Sequence, residues 1–96
     1  AIEYERQHED ALVSQLVNDA RAGGASALGA DDVIEALMQN RVEMLVIPYP
    51  PRENDLANEL KQRAFQQGTA IELVHGEPAD QLAEAGGVAA RLYYAL

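Results

Sequence analysis

Short apolar runs alternate along the chain with segments of helical periodicity, and this alternation limits the possible folds more than any other feature. The most apolar run covers residues 42–47, where Glu43 is the one charged residue. A run this short and this apolar is typical of a strand that is covered on both faces of a sheet. The other predicted strands cover residues 25–28, 69–75 and 88–94.

The segments between these runs have apolar residues at the spacing of an amphipathic helix. The predicted helices cover residues 3–22, 31–39, 54–67 and about 78–85. Asp31 is the expected N-cap of the second helix, because its carboxylate can accept a hydrogen bond from a free amide of the first turn. Met38 and Phe65 are expected on the inward faces of the second and third helices. Helices that alternate with buried strands predict an α/β fold with helices on both faces of one sheet.

Glycines mark several boundaries of the predicted elements. Gly23 and Gly24 follow the first helix, Gly29 follows the first strand, and Gly86 and Gly87 separate the last helix from the last strand. Glycine accepts the left-handed backbone conformation that commonly ends a helix. We therefore expect these five glycines to form structural turns, with a positive φ at Gly86 or Gly87.

Composition narrows the functional classes. The 96 residues are enough for one domain, and seven basic residues against sixteen acidic ones give a net charge of −9. Such a surface repels phosphate backbones and anionic membranes. The absence of cysteine excludes disulfides and thiolate chemistry and fits a reducing cytoplasm. Because the chain begins at Ala1 without methionine, we expect residues 1–96 to be one domain of a longer cytoplasmic protein.

No residue set predicts catalysis, a metal site or a cofactor. Gly24 and Gly29 have the glycine spacing of a P-loop, but Ala30, Asp31 and Asp32 follow where phosphate binding requires Lys and then Ser or Thr. His8 lacks a second histidine nearby, so a solvated charged face with Glu5 and Glu9 is expected. His75 has no nucleophile or acid that the sequence places beside it, so a loop histidine is expected. We expect no enzymatic activity.

A stiff loop with one aromatic residue follows the most apolar strand. Prolines restrict its backbone, so little entropy is lost on binding, and loops at the carboxyl ends of strands often carry function. We predict a partner-binding site here; the alternative is a Tyr49 ring folded back on the core, because aromatic rings bury a large area. The predicted site comprises Pro48, Tyr49, Pro50, Pro51 and Arg52.

Two stretches carry a family resemblance. Residues 29–37 and 41–47 form a glycine, an acidic pair, a helix and a Val-Glu-x-Leu strand, and residues 81–93 form a helix, two glycines and an apolar strand. Together they resemble the C-terminal domain of archaeal and eukaryotic class I peptide-chain release factors and of Pelota, and most closely their bacterial and archaeal relatives. The resemblance covers residues 12–94.

This resemblance implies a single three-layer α/β/α sandwich with a small mixed sheet, like that of kink-turn-binding ribosomal proteins. It also implies a non-catalytic protein-interaction domain of a ribosome-associated termination or rescue protein. The expected partner is a translational GTPase or the ribosome. The Gly-Gly-Gln tripeptide by which the family's middle domain hydrolyses peptidyl-tRNA is absent from this chain.

The resemblance also bears on RNA binding. Asp31, Asp32 and Glu35 match the positions where kink-turn-binding relatives carry an Asn-Glu pair and a Lys that contact RNA. Carboxylates at these positions repel phosphate, so we expect no direct nucleic-acid binding. The alternative function is a divergent stand-alone domain that binds RNA or a small ligand.

Overall fold

A mixed four-stranded sheet forms the middle layer of the fold. The computed structural model describes residues 2–49 and 56–95. The elements begin and end close to their predicted bounds. They are α1 (Ile2–Arg21), β1 (Ser26–Leu28), α2 (Ala30–Met38), β2 (Val42–Pro48), α3 (Leu56–Gln67), β3 (Ala70–Val74), α4 (Gly76–Glu84) and β4 (Ala89–Leu92).

The strand order is β1-β4-β2-β3. β2 and β3 pair in parallel, with Leu45 opposite Ile71, whereas β4 pairs antiparallel with both β1 and β2. A parallel pair requires a long crossover connection, and α3 lies between β2 and β3 in the chain. β2 therefore occupies the interior of the sheet, as its almost uninterrupted apolar sequence predicts.

Both faces of the sheet are covered by helices. Successive side chains of a strand point to opposite faces. Leu45 and Ile47 accordingly belong to a core cluster with residues of α2 and α3, and Val46 belongs to a second cluster with residues of α1 and α4. This arrangement confirms the predicted α/β/α sandwich with a small mixed sheet.

Two predicted core residues lie at the surface instead. Met38 and Phe65 are 66% and 80% exposed. In each helix the preceding residue, Leu37 or Ala64, is fully buried. Because consecutive residues of a helix differ by about 100° in direction, a residue next to the buried stripe turns outward. The inward prediction for Met38 and Phe65 is wrong.

The prediction that Asp31 caps α2 is also wrong. The N-cap position is held by Gly29, no side chain caps the helix, and Asp31 lies one residue inside the first turn with Asp32. Both carboxylates remain favourably placed beside the positive end of the helix dipole.

The predicted glycine turns differ in their backbone geometry. Gly23, Gly29, Gly86 and Gly87 have positive φ, whereas Gly24 does not. Gly86 also lies in close contact with the backbone of Gly29, because a Cβ atom at Gly86 would come within 3.0 Å of the Gly29 Cα and N atoms. The turn before β4 thus packs directly on the turn before α2.

Candidate partner-binding surface

The predicted partner loop begins where the parallel strands β2 and β3 end. Pro48 is buried and lies opposite Val74 in the sheet register. The next residue, Tyr49, donates its backbone N–H to the Val74 carbonyl at 2.8 Å. The backbone that enters the loop is therefore fixed by the sheet. The remaining residues of the predicted site, at positions 50–52, lie outside the described residues.

The Tyr49 side chain is neither in the core nor fully in solvent. It is 49% exposed, and its ring lies against the imidazole of His75 with 5.3 Å between centroids and 55° between planes. This distance and tilt lie in the range preferred by interacting aromatic rings. The alternative in which the ring folds back on the core is not the conformation observed, so half of the side chain is available for contact.

His75 is held in turn by Glu9. The His75 Nδ1 atom lies 2.8 Å from the Glu9 Oε1 atom, and the His75 backbone N–H donates to the same oxygen at 3.1 Å. Because a carboxylate oxygen only accepts, Nδ1 carries the hydrogen in this bond. His75 lies between β3 and α4 with an exposed side chain, as the sequence predicted, but the sequence did not indicate its contact with Glu9.

The buried position of Glu9 corrects the interpretation of the first helix. His8 is exposed, but Glu9 is only 7% exposed, so the expected solvated face does not include it. Glu9 precedes the buried residues Leu12 and Val13 by three and four positions, which places it on the same face of α1. That face packs against α4, whose first turn follows His75.

The Glu9 and His75 pair does not form a nucleophilic site with Ser26. Ser26 lies in β1, at the opposite edge of the sheet from β3 and His75. Among residues 8–49 and 58–95, whose side chains the structure describes, no group of three or more His, Asp or Glu could hold a metal ion. No helix in these ranges is long and apolar enough to cross a membrane. The Glu9 contact fixes the His75 imidazole beside the Tyr49 ring.

A second site lies at the other edge of the sheet and was missed by sequence reasoning. A cleft of about 480 Å³ is lined by residues of α1, α2, β1 and β4, with Arg41 among them. Arg41 is 7% exposed, and its Nη1 donates to the Gln39 Oε1 atom at 2.8 Å. Burial of an arginine next to a strand leaves no signal in the sequence, since most arginines in such positions are solvated.

Solved structures show what the chain is similar to. Pelota of Archaeoglobus fulgidus has 24% sequence identity and a TM-score of 0.80 over 96% of this chain and 31% of that chain. The C-terminal domain of a peptide chain release factor from Methanosarcina mazei has 19% identity and a TM-score of 0.77 over 96% of this chain and 85% of that chain. A 15.5 kD RNA-binding protein of Giardia lamblia has 17% identity and a TM-score of 0.68, over 92% of this chain and 74% of that chain.

These similarities first identify the fold class of the chain. It is an α/β/α fold that an RNA-binding protein shares with a peptide chain release factor. More particularly, the chain has the fold of the C-terminal domain of class I release factors and of Pelota, which confirms the resemblance carried by the two sequence stretches. The chain spans less than a third of the Archaeoglobus Pelota chain. No protein-family model and no curated protein matches the sequence.

Proposed function

We propose that this chain is the non-catalytic protein-interaction domain of a longer, ribosome-associated cytoplasmic protein that acts in translation termination or ribosome rescue. The observation that carries the proposal is the match over nearly all of this chain to the release-factor C-terminal domain from Methanosarcina mazei. The match to about a third of Pelota supports the expectation of further domains in the complete protein.

The expected partner follows from two similar proteins. Archaeal Pelota is known in a ribosome-bound form with ABCE1, and Dom34 of Saccharomyces cerevisiae is described as interacting with Hbs1. By analogy, the partner of this chain is a translational GTPase or the ribosome itself. This assignment rests on shared fold, since the identities to these two proteins are 23% and 14%.

The Tyr49 surface is the part of the described chain that best fits a docking role. Tyrosine is enriched among the residues that dominate interface energetics. Its ring is half-exposed and supported by His75, and His75 is fixed at two atoms by Glu9. A side chain that is already ordered loses little conformational entropy on binding. Pro48 lies at the start of this surface, and the sequence prediction adds Pro50, Pro51 and Arg52 to it.

A sedimentation experiment tests the proposed function. Ribosomes and translational GTPases purified from the same organism are mixed separately with the folded chain, and binding is measured by co-sedimentation or by fluorescence anisotropy. Saturable binding to either partner supports the proposal. Absence of binding to both, with a chain whose folding is verified by circular dichroism, would contradict it.

RNA binding is the second candidate, because the Giardia protein shares the fold. The side chains at the relevant place argue against it. Asp31, Asp32 and Glu35 are all exposed at the start of α2 or one turn further. Together with the net charge of −9, they produce a surface that repels the phosphate backbone.

A further inference from the structure

Residues with buried polar atoms line the cleft beside β1. The cleft of about 480 Å³ is large enough for a small ligand, and its walls include the apolar side chains of Ala27, Ala36 and Leu92. Ser26 and Arg41 line the same cleft, and each has side-chain polar atoms that are shielded from solvent. Apolar walls with a few convergent polar groups are typical of ligand sites.

The backbone holds Arg41 in place. Asn40, with φ of 56°, ends α2, and the Arg41 N–H donates to the Ala36 carbonyl at 3.0 Å. These features are those of a Schellman turn at a helix C-terminus. The Arg41 carbonyl in turn accepts from the Tyr93 N–H at 3.0 Å. Both backbone groups of Arg41 are therefore engaged, and the side chain starts from a fixed point.

Only some of the hydrogen-bond donors of the Arg41 guanidinium have partners within the described part of the chain. Its Nη1 bonds to Gln39, and its Cζ lies 6.0 Å from the ring centroid of Tyr94. Its Nε and Nη2 atoms are buried without a hydrogen-bond partner within the described part of the chain, and no ion pair of Arg41 occurs there. The Ser26 Oγ atom is buried and unpartnered in the same way.

These donors match one kind of ligand group. The N–H bonds of Nε and Nη2 lie in the guanidinium plane and point in parallel from one edge of the group, and such a fork fits the two oxygens of a carboxylate. A buried cation that forms no ion pair is costly, and water supplies acceptors but no charge. A carboxylate supplies both. We propose that this cleft binds a carboxylate ligand through Arg41 and the hydroxyl of Ser26, independently of the proposed partner docking.

The rim of the cleft specifies the ligand further. Asp32, Glu35 and Arg21 line it and are exposed, so the rim carries two carboxylates and one guanidinium. The excess of negative charge disfavours a doubly charged anion such as phosphate and favours a ligand that carries a cationic group beside its carboxylate. Two sources offer this chemistry: a free basic amino acid, and the C-terminal residue of a peptide with a basic side chain. Because these donors are shielded from solvent, a ligand reaches them only when side chains at the cleft move, and exposed side chains change rotamer rapidly.

The side-chain ¹⁵N–¹H signal of the Arg41 Nε–H group provides a direct readout. The isotope-labelled chain is titrated at constant ionic strength with L-arginine, with a tripeptide ending in a free lysine carboxylate, with the C-terminally amidated tripeptide, and with phosphate. We expect a saturable shift with L-arginine, with the free-carboxylate tripeptide or with both, which distinguishes the two sources. The amidated peptide and phosphate should cause no saturable shift at the same concentrations.

Three variants connect the signal to the site. Ser26→Ala should raise the Kd about fivefold, the usual effect of losing one hydrogen bond. Arg41→Lys keeps the charge but loses the fork, and should abolish saturable binding, followed through the backbone amides of residues 26–28. Arg63→Lys, in α3 beside the edge strand β3 and outside the cleft, should change nothing. If Arg41→Lys does not fold, Ser26→Ala alone decides.

Four outcomes would each overturn the proposal: no saturable shift, an equal shift with the amidated peptide, preference for phosphate, or unchanged binding in Ser26→Ala.

Discussion

Glu9 and His75, 66 residues apart in the chain, are joined at two atoms through one carboxylate oxygen. The Oε1 atom of Glu9 accepts from the His75 backbone N–H and from its Nδ1 atom, at 3.1 and 2.8 Å. The contact ties the N-terminal half of α1 to the turn between β3 and α4. It also fixes the imidazole on which the Tyr49 ring rests.

Removal of the Glu9 carboxylate should destabilise the fold measurably. Glu9→Ala leaves the His75 backbone N–H without its acceptor, and an unpaired amide of this kind costs about 1–3 kcal/mol. Glu9→Gln retains a carbonyl oxygen and should cost less. Urea denaturation gives the free energies of unfolding, with Gln15→Ala, an exposed change in the same helix, as the control. Equal stabilities of the Glu9→Ala and Gln15→Ala proteins would refute the structural role of the contact.

The two glycines before β4 should differ in their tolerance of a side chain. Both have positive φ, which costs a residue with a β-carbon about 1–2 kcal/mol. At Gly87 nothing lies within 4 Å of the added Cβ, whereas at Gly86 it meets the Gly29 backbone at 3.0 Å. Gly86→Ala should therefore lower the melting temperature more than Gly87→Ala, and replacement of both by valine should cost about 2 kcal/mol or more. An unchanged melting temperature in the double valine variant would contradict the structural role of these two glycines.

Truncation of Leu60 in α3 should destabilise the fold much more than truncation of Phe65 in the same helix. Leu60 is 1% exposed and Phe65 is 80% exposed. Leu60→Ala removes a core side chain and should cost about 2–5 kcal/mol, whereas Phe65→Ala should stay within about 0.5 kcal/mol. The same urea denaturation series measures both. A loss at Phe65 as large as that at Leu60 would show that the ring is packed in solution.

The sequence predicted the elements of this fold well because each is encoded by local patterns. The apolar run of β2, the helical stripes and the glycines at the turns depend on residues close together in the chain. Met38 and Phe65 show the limit of this approach. Each adjoins a buried residue, and an apolar side chain at the border of a helical stripe satisfies the same periodicity whether it points in or out.

The sites were harder to predict because their contacts join distant segments. The sequence indicates that a loop follows β2, but not that His75 supports Tyr49 or that Glu9 holds His75. The buried guanidinium of Arg41 likewise depends on how α2, β1 and β4 meet. Such long-range polar contacts have no sequence periodicity, so only the folded chain shows them.

The acidic start of α2 should prevent binding of structured RNA. Asp31, Asp32 and Glu35 are exposed, and counterion release by basic residues is the main source of nucleic-acid affinity. A gel shift with a kink-turn RNA at physiological salt should show no complex, with a kink-turn-binding ribosomal protein as the positive control. Sub-micromolar binding that weakens as salt is added would contradict this prediction.

The central claim is that this is a docking domain with Tyr49 at its contact surface. Its most direct test is to measure both folding and partner affinity on the same Tyr49→Ala protein. Tyr93→Ala is the matched control. Tyr93 is 62% exposed and bonds to the Arg41 carbonyl, just before β2 begins, at the opposite end of that strand from Tyr49.

We predict that Tyr49→Ala nearly retains the wild-type melting temperature and weakens binding to the ribosome or translational GTPase by about 1–3 kcal/mol, as for an interface aromatic residue. Tyr93→Ala should leave the affinity unchanged. A loss of stability of about 3 kcal/mol or more in Tyr49→Ala, as expected for a core aromatic residue, or an unchanged affinity in a well-folded Tyr49→Ala protein, would contradict the account.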